Sequence, residues 1–124
     1  MAEMKFSDKG LIPAIAQQGD DGEILMMAWM NQDAIRETLT TGQVCYWSRS
    51  RQSLWRKGET SGQVQVLQHF RYDCDQDTIL LIVDQKGVAC HTGRRSCFYH
   101  EITPDGLKIT QDVTIDPARL YGDK

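Results

Sequence analysis

The hydrophobic residues of this chain fall in short runs broken by turn-forming residues, a pattern that admits a small β fold and little helix. Leu11 to Ala16 and Glu23 to Trp29 read as strands around the turn Gly19-Asp20-Asp21-Gly22. Val44–Trp47, Gln63–Tyr72, Thr78–Val83, Val88–His91 and Cys97–Ile102 continue the series, and Pro104-Asp105-Gly106 predicts a hairpin returning through Leu107–Ile109. Within Gln63–Tyr72 the alternation sets Val64, Val66 and Phe70 on one side and Gln63 and Gln65 among the polar groups around them. One helix is expected, capped by Asn31, running through Leu39 and closed by Gly42, with Ala34, Ile35 and Leu39 on its buried face. A short turn is expected at Asp116–Arg119. The expected fold is mainly β (α+β), a small mixed sheet or pseudo-barrel with one main helix.

The 124 residues suffice for one core, so 1–124 is read as a single domain. A net charge of −3 argues against broad binding to nucleic acid. No apolar run nears the roughly 20 residues of a membrane span, and the first ten residues lack a signal-peptide core, so the expected location is cytoplasmic. In that reducing compartment the four cysteines are expected as free thiols rather than disulfides. Cys45, inside Val44-Cys45-Tyr46-Trp47, reads as a small buried side chain.

Cys74, Cys90 and Cys97 carry the chemistry. The first lies in Asp73-Cys74-Asp75-Gln76-Asp77, the others bound Cys90-His91-Thr92-Gly93-Arg94-Arg95-Ser96-Cys97. Thiolates suit a borderline metal such as zinc and carboxylates a hard one such as magnesium. Three thiol ligands leave an open position for water, so a metal-dependent hydrolase is the first reading, with inert core cysteines the alternative. On an extended backbone Asp73, Asp75 and Asp77 would face one way and Cys74 the other. An EF-hand is excluded, because Thr78 and Asp84 stand where its glycine and final glutamate belong. Neither a Cys-x-x-Cys knuckle nor the zinc-deaminase signature is present. His91 adjoins a proposed ligand and could bind metal or shuttle protons, whereas His69 and His100 have no motif around them.

Tyr46 to Gly62 gathers Arg49, Arg51, Arg56 and Lys57 in an otherwise acidic chain, with Trp47 and Trp55 and several hydroxyls. Guanidinium forks, hydroxyls and glycine amides suit a phosphorylated nucleotide, while a solvated basic loop or a stacking surface for single-stranded RNA are the alternatives.

Together, Tyr46-Trp47-Ser48-Arg49-Ser50-Arg51, Leu54-Trp55-Arg56-Lys57-Gly58-Glu59-Thr60-Ser61-Gly62, Asp73-Cys74-Asp75-Gln76-Asp77 and Ala89-Cys90-His91-Thr92-Gly93…Ser96-Cys97-Phe98 resemble phosphoribosyl-AMP cyclohydrolase, the third enzyme of histidine biosynthesis. The resemblance implies a homodimer of the stand-alone form, without a fused pyrophosphohydrolase domain. It implies zinc on Cys74, Cys90 and Cys97, contributed by both subunits, and magnesium on Asp73, Asp75 and Asp77. It also implies a nucleotide substrate, N1-(5-phosphoribosyl)-AMP, whose adenine ring is opened between N1 and C6. Arg49, Arg51, Trp55, Lys57, Glu59, Thr60 and Ser61 are the expected substrate contacts and His91 the expected proton carrier. Many family members have His at the positions of Cys45 and Gln63, so their absence here shifts proton transfer onto His91.

Overall fold

The computed structural model describes residues 4–121. β1 (Ile12–Gln18) and β2 (Ile24–Met30) form the expected antiparallel pair, with a bulge between Ala16 and Gln17. β1 turns Ile12, Ala14, Ala16 and Gln18 inward. A helix, α1 (Gln32–Thr41), follows directly. The Asn31 side chain accepts the Ala34 N–H at 2.8 Å, and Gly42 closes the helix at φ 76°, a left-handed conformation that favours glycine.

One face of α1 differs from expectation. Ala34 and Ile35 are buried, but Leu39 is 53% exposed and Thr38 takes the inner position. The Thr38 hydroxyl accepts the Cys45 N–H at 2.9 Å and donates to the Ala34 carbonyl at 2.8 Å. A polar residue thereby ties the helix to the next strand without an unpaired buried group.

That strand, β3 (Cys45–Ser48), pairs with β4 (Ser53–Arg56), so part of the Arg- and Trp-rich segment, for which a solvated loop is one alternative, is a hairpin. β5 (Gln65–Tyr72) and β6 (Ile79–Gln85) complete a curled six-stranded sheet of order β4-β3-β2-β1-β6-β5, a half-barrel in which only β1 and β6 run parallel. Ile79, Leu81 and Val83 of β6 join Leu25, Met30, Ile35, Val44 and Tyr46 in the core. β5 inverts the expected sides. Gln65 is fully buried while Val64 and Val66 are only half-buried, and a bulge between Leu67 and His69 restores Phe70 to the inner side.

Buried Gln65 is satisfied by a network that runs across the sheet. Tyr46 donates to its Oε1 at 2.7 Å, its Nε2 donates to Gln85 Oε1 at 2.9 Å, and the Gln85 N–H donates to Gln18 Oε1 at 2.8 Å. Val88–His91 is no strand but a turn, and the strand expected from Cys97 begins only at His100. β7 (His100–Thr103) and β8 (Gly106–Ile109) form the expected separate hairpin, and α2 (Pro117–Tyr121) extends the expected C-terminal turn. All four thiols are free, and no helix among the described residues is long and apolar enough to cross a membrane.

Cys45 is fully buried, as expected, and burial, followed by the Glu37 charge, pushes its thiol up to about 12 from an ordinary 9.0. The unfolded thiol ionises near its ordinary value, so above that pH the unfolded chain has released a proton that the folded chain retains. Stability therefore falls as pH rises between those two values. Cys45 should resist iodoacetamide at pH 8 in the folded protein and react only on unfolding, whereas exposed Cys74 should react at once. Mass spectrometry of the labelled peptides reads both.

Candidate active site

Two clusters of reactive groups occupy opposite ends of the sheet. The first lies beyond the end of β6. Ala89 and Cys90 donate their N–H groups to the Arg95 and Arg94 carbonyls at 2.9 and 3.1 Å, closing the turn that brings Cys97 back beside Cys90. The Cys97 N–H reaches the Leu25 carbonyl at 2.7 Å, fixing the turn to the start of β2. Burial, then the adjoining Cys90 thiol, pushes the Cys97 thiol up to about 12. Thr92 Oγ1 lies 3.1 Å from Cys90 Sγ. His91, between them, is exposed.

The C-terminal segment, in which the sequence shows no chemistry, straps this turn. Thr114 and Ile115 both donate their N–H groups to the Gly93 carbonyl, at 2.9 and 3.1 Å, and the Gln111 side chain accepts the Ser96 N–H at 3.0 Å. No sequence signal marks these contacts, since two are made by backbone groups that every residue carries and the third by a single glutamine amide.

Lys57 faces the thiol pair and is itself buried, with its ammonium donating to the Ala89 carbonyl at 2.5 Å. Burial lowers its pKa, against the opposing pull of Cys97 and Cys90. Around it Arg51, Trp55, Gly58, Glu59, Thr60 and Ser61 line a cleft of about 380 Å³. Six of the seven expected substrate contacts are thus together; Arg49 is not among them. Gln63 does not enter the cleft as an acid or base: its Oε1 accepts the Val88 N–H at 3.0 Å and its Nε2 donates to the Ser61 carbonyl at 3.2 Å, bridging two loops.

The second cluster precedes β6. Asp73, Asp75 and Asp77 present oxygens all within 4.8 Å of one another, and all three are exposed. The segment is not extended, as the alternation argument required. It is a tight turn with Gln76 at φ 67°, in which Asp73 Oδ1 accepts the N–H groups of Asp77 and Thr78 at 3.0 and 3.2 Å. Desolvation raises the Asp73 pKa, but these bonds outweigh it and lower the group overall. Cys74 lies in the same turn, exposed. The seven residues of β6 separate it from Cys90, a span of roughly 20 Å at about 3.3 Å per residue. Among the described residues the three cysteines therefore do not meet within one chain.

Both donor sets fit their expected metals. The Cys90–Cys97 thiol pair, one member buried and the other half-buried beside a lysine, would suit a thiophilic cation. Three crowded carboxylates without a cationic partner among the described residues suit a hard divalent ion.

Reactive groups carried on loops at the ends of a rigid sheet, beside a polar cleft, define an enzyme rather than a structural module. A family model described as phosphoribosyl-AMP cyclohydrolase matches residues 26–99. The phosphoribosyl-AMP cyclohydrolase of Gluconobacter oxydans is 66% identical over 98% of this chain and 78% of its own length. That of Magnetococcus marinus is 62% identical over 98% of this chain and 95% of its own. The chain belongs to the phosphoribosyl-AMP cyclohydrolase family.

The cleft wall depends on Gly58, at φ 83°, where a methyl group would lie 2.5 Å from the backbone of Gln63 and Val64. Gly58→Ala should lower stability by about 2–3 kcal/mol. Gly62→Ala, with a similar φ of 79° but open space around it, should cost about 1 kcal/mol. Urea denaturation of the two variants measures the difference.

Proposed function

We propose that this enzyme is a zinc- and magnesium-dependent hydrolase of histidine biosynthesis. It opens the adenine ring of N1-(5-phosphoribosyl)-AMP between N1 and C6 and yields the formimino-carboxamide ribonucleotide. The observation that carries this reading is the Cys90–Cys97 thiol pair beside the Lys57 cleft in a chain of this family.

Cys90 and Cys97 of one subunit, with the partner subunit's Cys74, would hold zinc, and Asp73, Asp75 and Asp77 would hold magnesium. Zinc so held would supply a water of lowered pKa, and magnesium would supply countercharge to anionic oxygens. The chain's own groups do the rest. Arg51 and the buried Lys57 ammonium bind phosphate, with the Thr60 and Ser61 hydroxyls as neutral donors. The Trp55 ring, 5.4 Å from Lys57 Nζ, offers a flat surface to the base, and Glu59 a carboxylate to the ribose. His91, exposed on the turn after Cys90, takes a proton from the attacking water and returns one to N1 as the C6–N1 bond breaks.

The separation of Cys74 from Cys90 supports a homodimer, because a second copy can bring its Cys74 to the first chain's thiol pair. Surface chemistry agrees. On the β7–β8 hairpin, Ile102, Leu107 and Ile109 share one face by register and are 88%, 66% and 48% exposed. A two-stranded hairpin does not hold such a face in water unaided, and its attachment three residues after Cys97 ties it to the thiol turn.

Ultraviolet absorbance of N1-(5-phosphoribosyl)-AMP, whose chromophore changes on ring opening, tests the reading. Zinc-loaded protein should turn over, and Cys74→Ser and Cys90→Ser should each lose activity by more than about a hundredfold together with zinc. Removing zinc should also weaken the dimer in sedimentation. Folded, zinc-loaded protein without turnover would overturn it.

A further inference from the structure

Arg49 leaves the main cleft for a second one. Lys9, Leu11, Asn31, Trp47, Arg49 and Gln52 line a pocket of about 340 Å³ that contains two cations and no carboxylate. The Arg49 guanidinium lies over the Trp29 ring, 4.8 Å from its centroid, which holds the fork in place. Gln52 adopts φ 51°, rare for a residue with a side chain, and its Nε2 donates to the Arg49 carbonyl at 2.6 Å. Asn31 spends its Oδ1 on the helix cap, which fixes the side chain and leaves its amide Nδ2 as a donor. Neither Lys9 nor Arg49 forms an ion pair among the described residues. The nearby Asp33 carboxylate is bound by Arg36 at 3.0 Å.

The pocket lies at the Cys74 end of the sheet. Ile12 pairs with Met30, Ala14 with Ile79, and the Lys5 N–H donates to the Gln76 carbonyl at 2.6 Å, so the start of β1, the end of β2 and the carboxylate turn are neighbours. The Lys57 cleft lies at the other end. A substrate named for a phosphoribosyl group and an adenosine monophosphate carries two phosphate monoesters, one at each extremity.

We propose that the Lys9–Asn31–Arg49 pocket binds one of these two phosphates, and that it serves the partner's Lys57 cleft, so that each substrate is held at its ends by different subunits. This rests on the shared-site reading above. Guanidinium, ammonium and amide donors lining one space match a phosphate dianion, and the Trp47 indole gives that space one apolar wall.

Asn31→Asp is the informative variant, because aspartate keeps the helix cap while turning a phosphate donor into a repelling charge. Lys9→Glu, at an exposed position, makes the same change without touching the helix. Both should melt like the parent and raise KM for N1-(5-phosphoribosyl)-AMP roughly tenfold or more, with kcat changed far less, as loss of a charge-assisted hydrogen bond requires. A parental KM in both variants overturns the pocket.

Mixed dimers then decide which subunit it serves. Cys74→Ser mixed with Cys90→Ser is the control: recovered turnover supports the shared metal site, and failure overturns that site while the KM comparison still judges the pocket. Asn31→Asp mixed with Cys90→Ser should recover parental KM, since one site in each mixed dimer then has an intact pocket and intact thiols. Asn31→Asp mixed with Cys74→Ser should not. The reverse pattern overturns the assignment of the pocket to the partner's site.

Discussion

A buried amide network holds this fold to one register. Tyr46, Gln65, Gln85 and Gln18 come from four strands, and each polar atom used is matched within 2.7–2.9 Å along the series. An unpaired amide in that position would cost about 1–3 kcal/mol, so a slip of β5 or β6 by one residue is strongly disfavoured. Gln85 also donates to the Val88 and Lys86 carbonyls, at 3.3 and 3.0 Å, which carries the order of the sheet into the turn that presents Cys90. The thiol pair is positioned by the same bonds that set strand register.

Site and scaffold are distributed along the sheet rather than gathered at one end. β6 begins at the turn with Cys74 and the aspartates and ends before Cys90 and Cys97. A rigid strand keeps those groups apart within one chain. That separation, with the exposed apolar hairpin, is what the proposed second copy rests on. The same separation puts two cationic clefts at opposite ends of one chain, so in the proposed dimer a substrate would be held between the cleft of one subunit and the pocket of the other.

Much of this was legible in the sequence. The Asn31 cap, the Gly42 stop, the β1–β2 pair and the hairpin at Pro104-Asp105-Gly106 follow from local backbone preferences, which need no tertiary information. The motif from Leu54 to Ser61 supplies most of a single cleft, because neighbours in a short loop remain neighbours in space. Leu39 and Val64 were misplaced for a shared reason. Periodicity counts apolar residues, yet Thr38 and Gln65 occupy the buried positions by completing hydrogen bonds to groups distant in sequence.

By itself, the sequence determined the chemical inventory: three thiols and three carboxylates in compact motifs, a basic segment rich in hydroxyls, and strands too short for any but a small β fold. Those properties are local and survive without knowledge of contacts. Tertiary structure alone decided that Cys74 lies a strand's length from Cys90, that the aspartates converge through a turn rather than an extended backbone, and that Arg49 belongs to a different pocket from Lys57. Each depends on which end of a strand a loop occupies and on where a bulge resets the alternation, and strand pairing settles both.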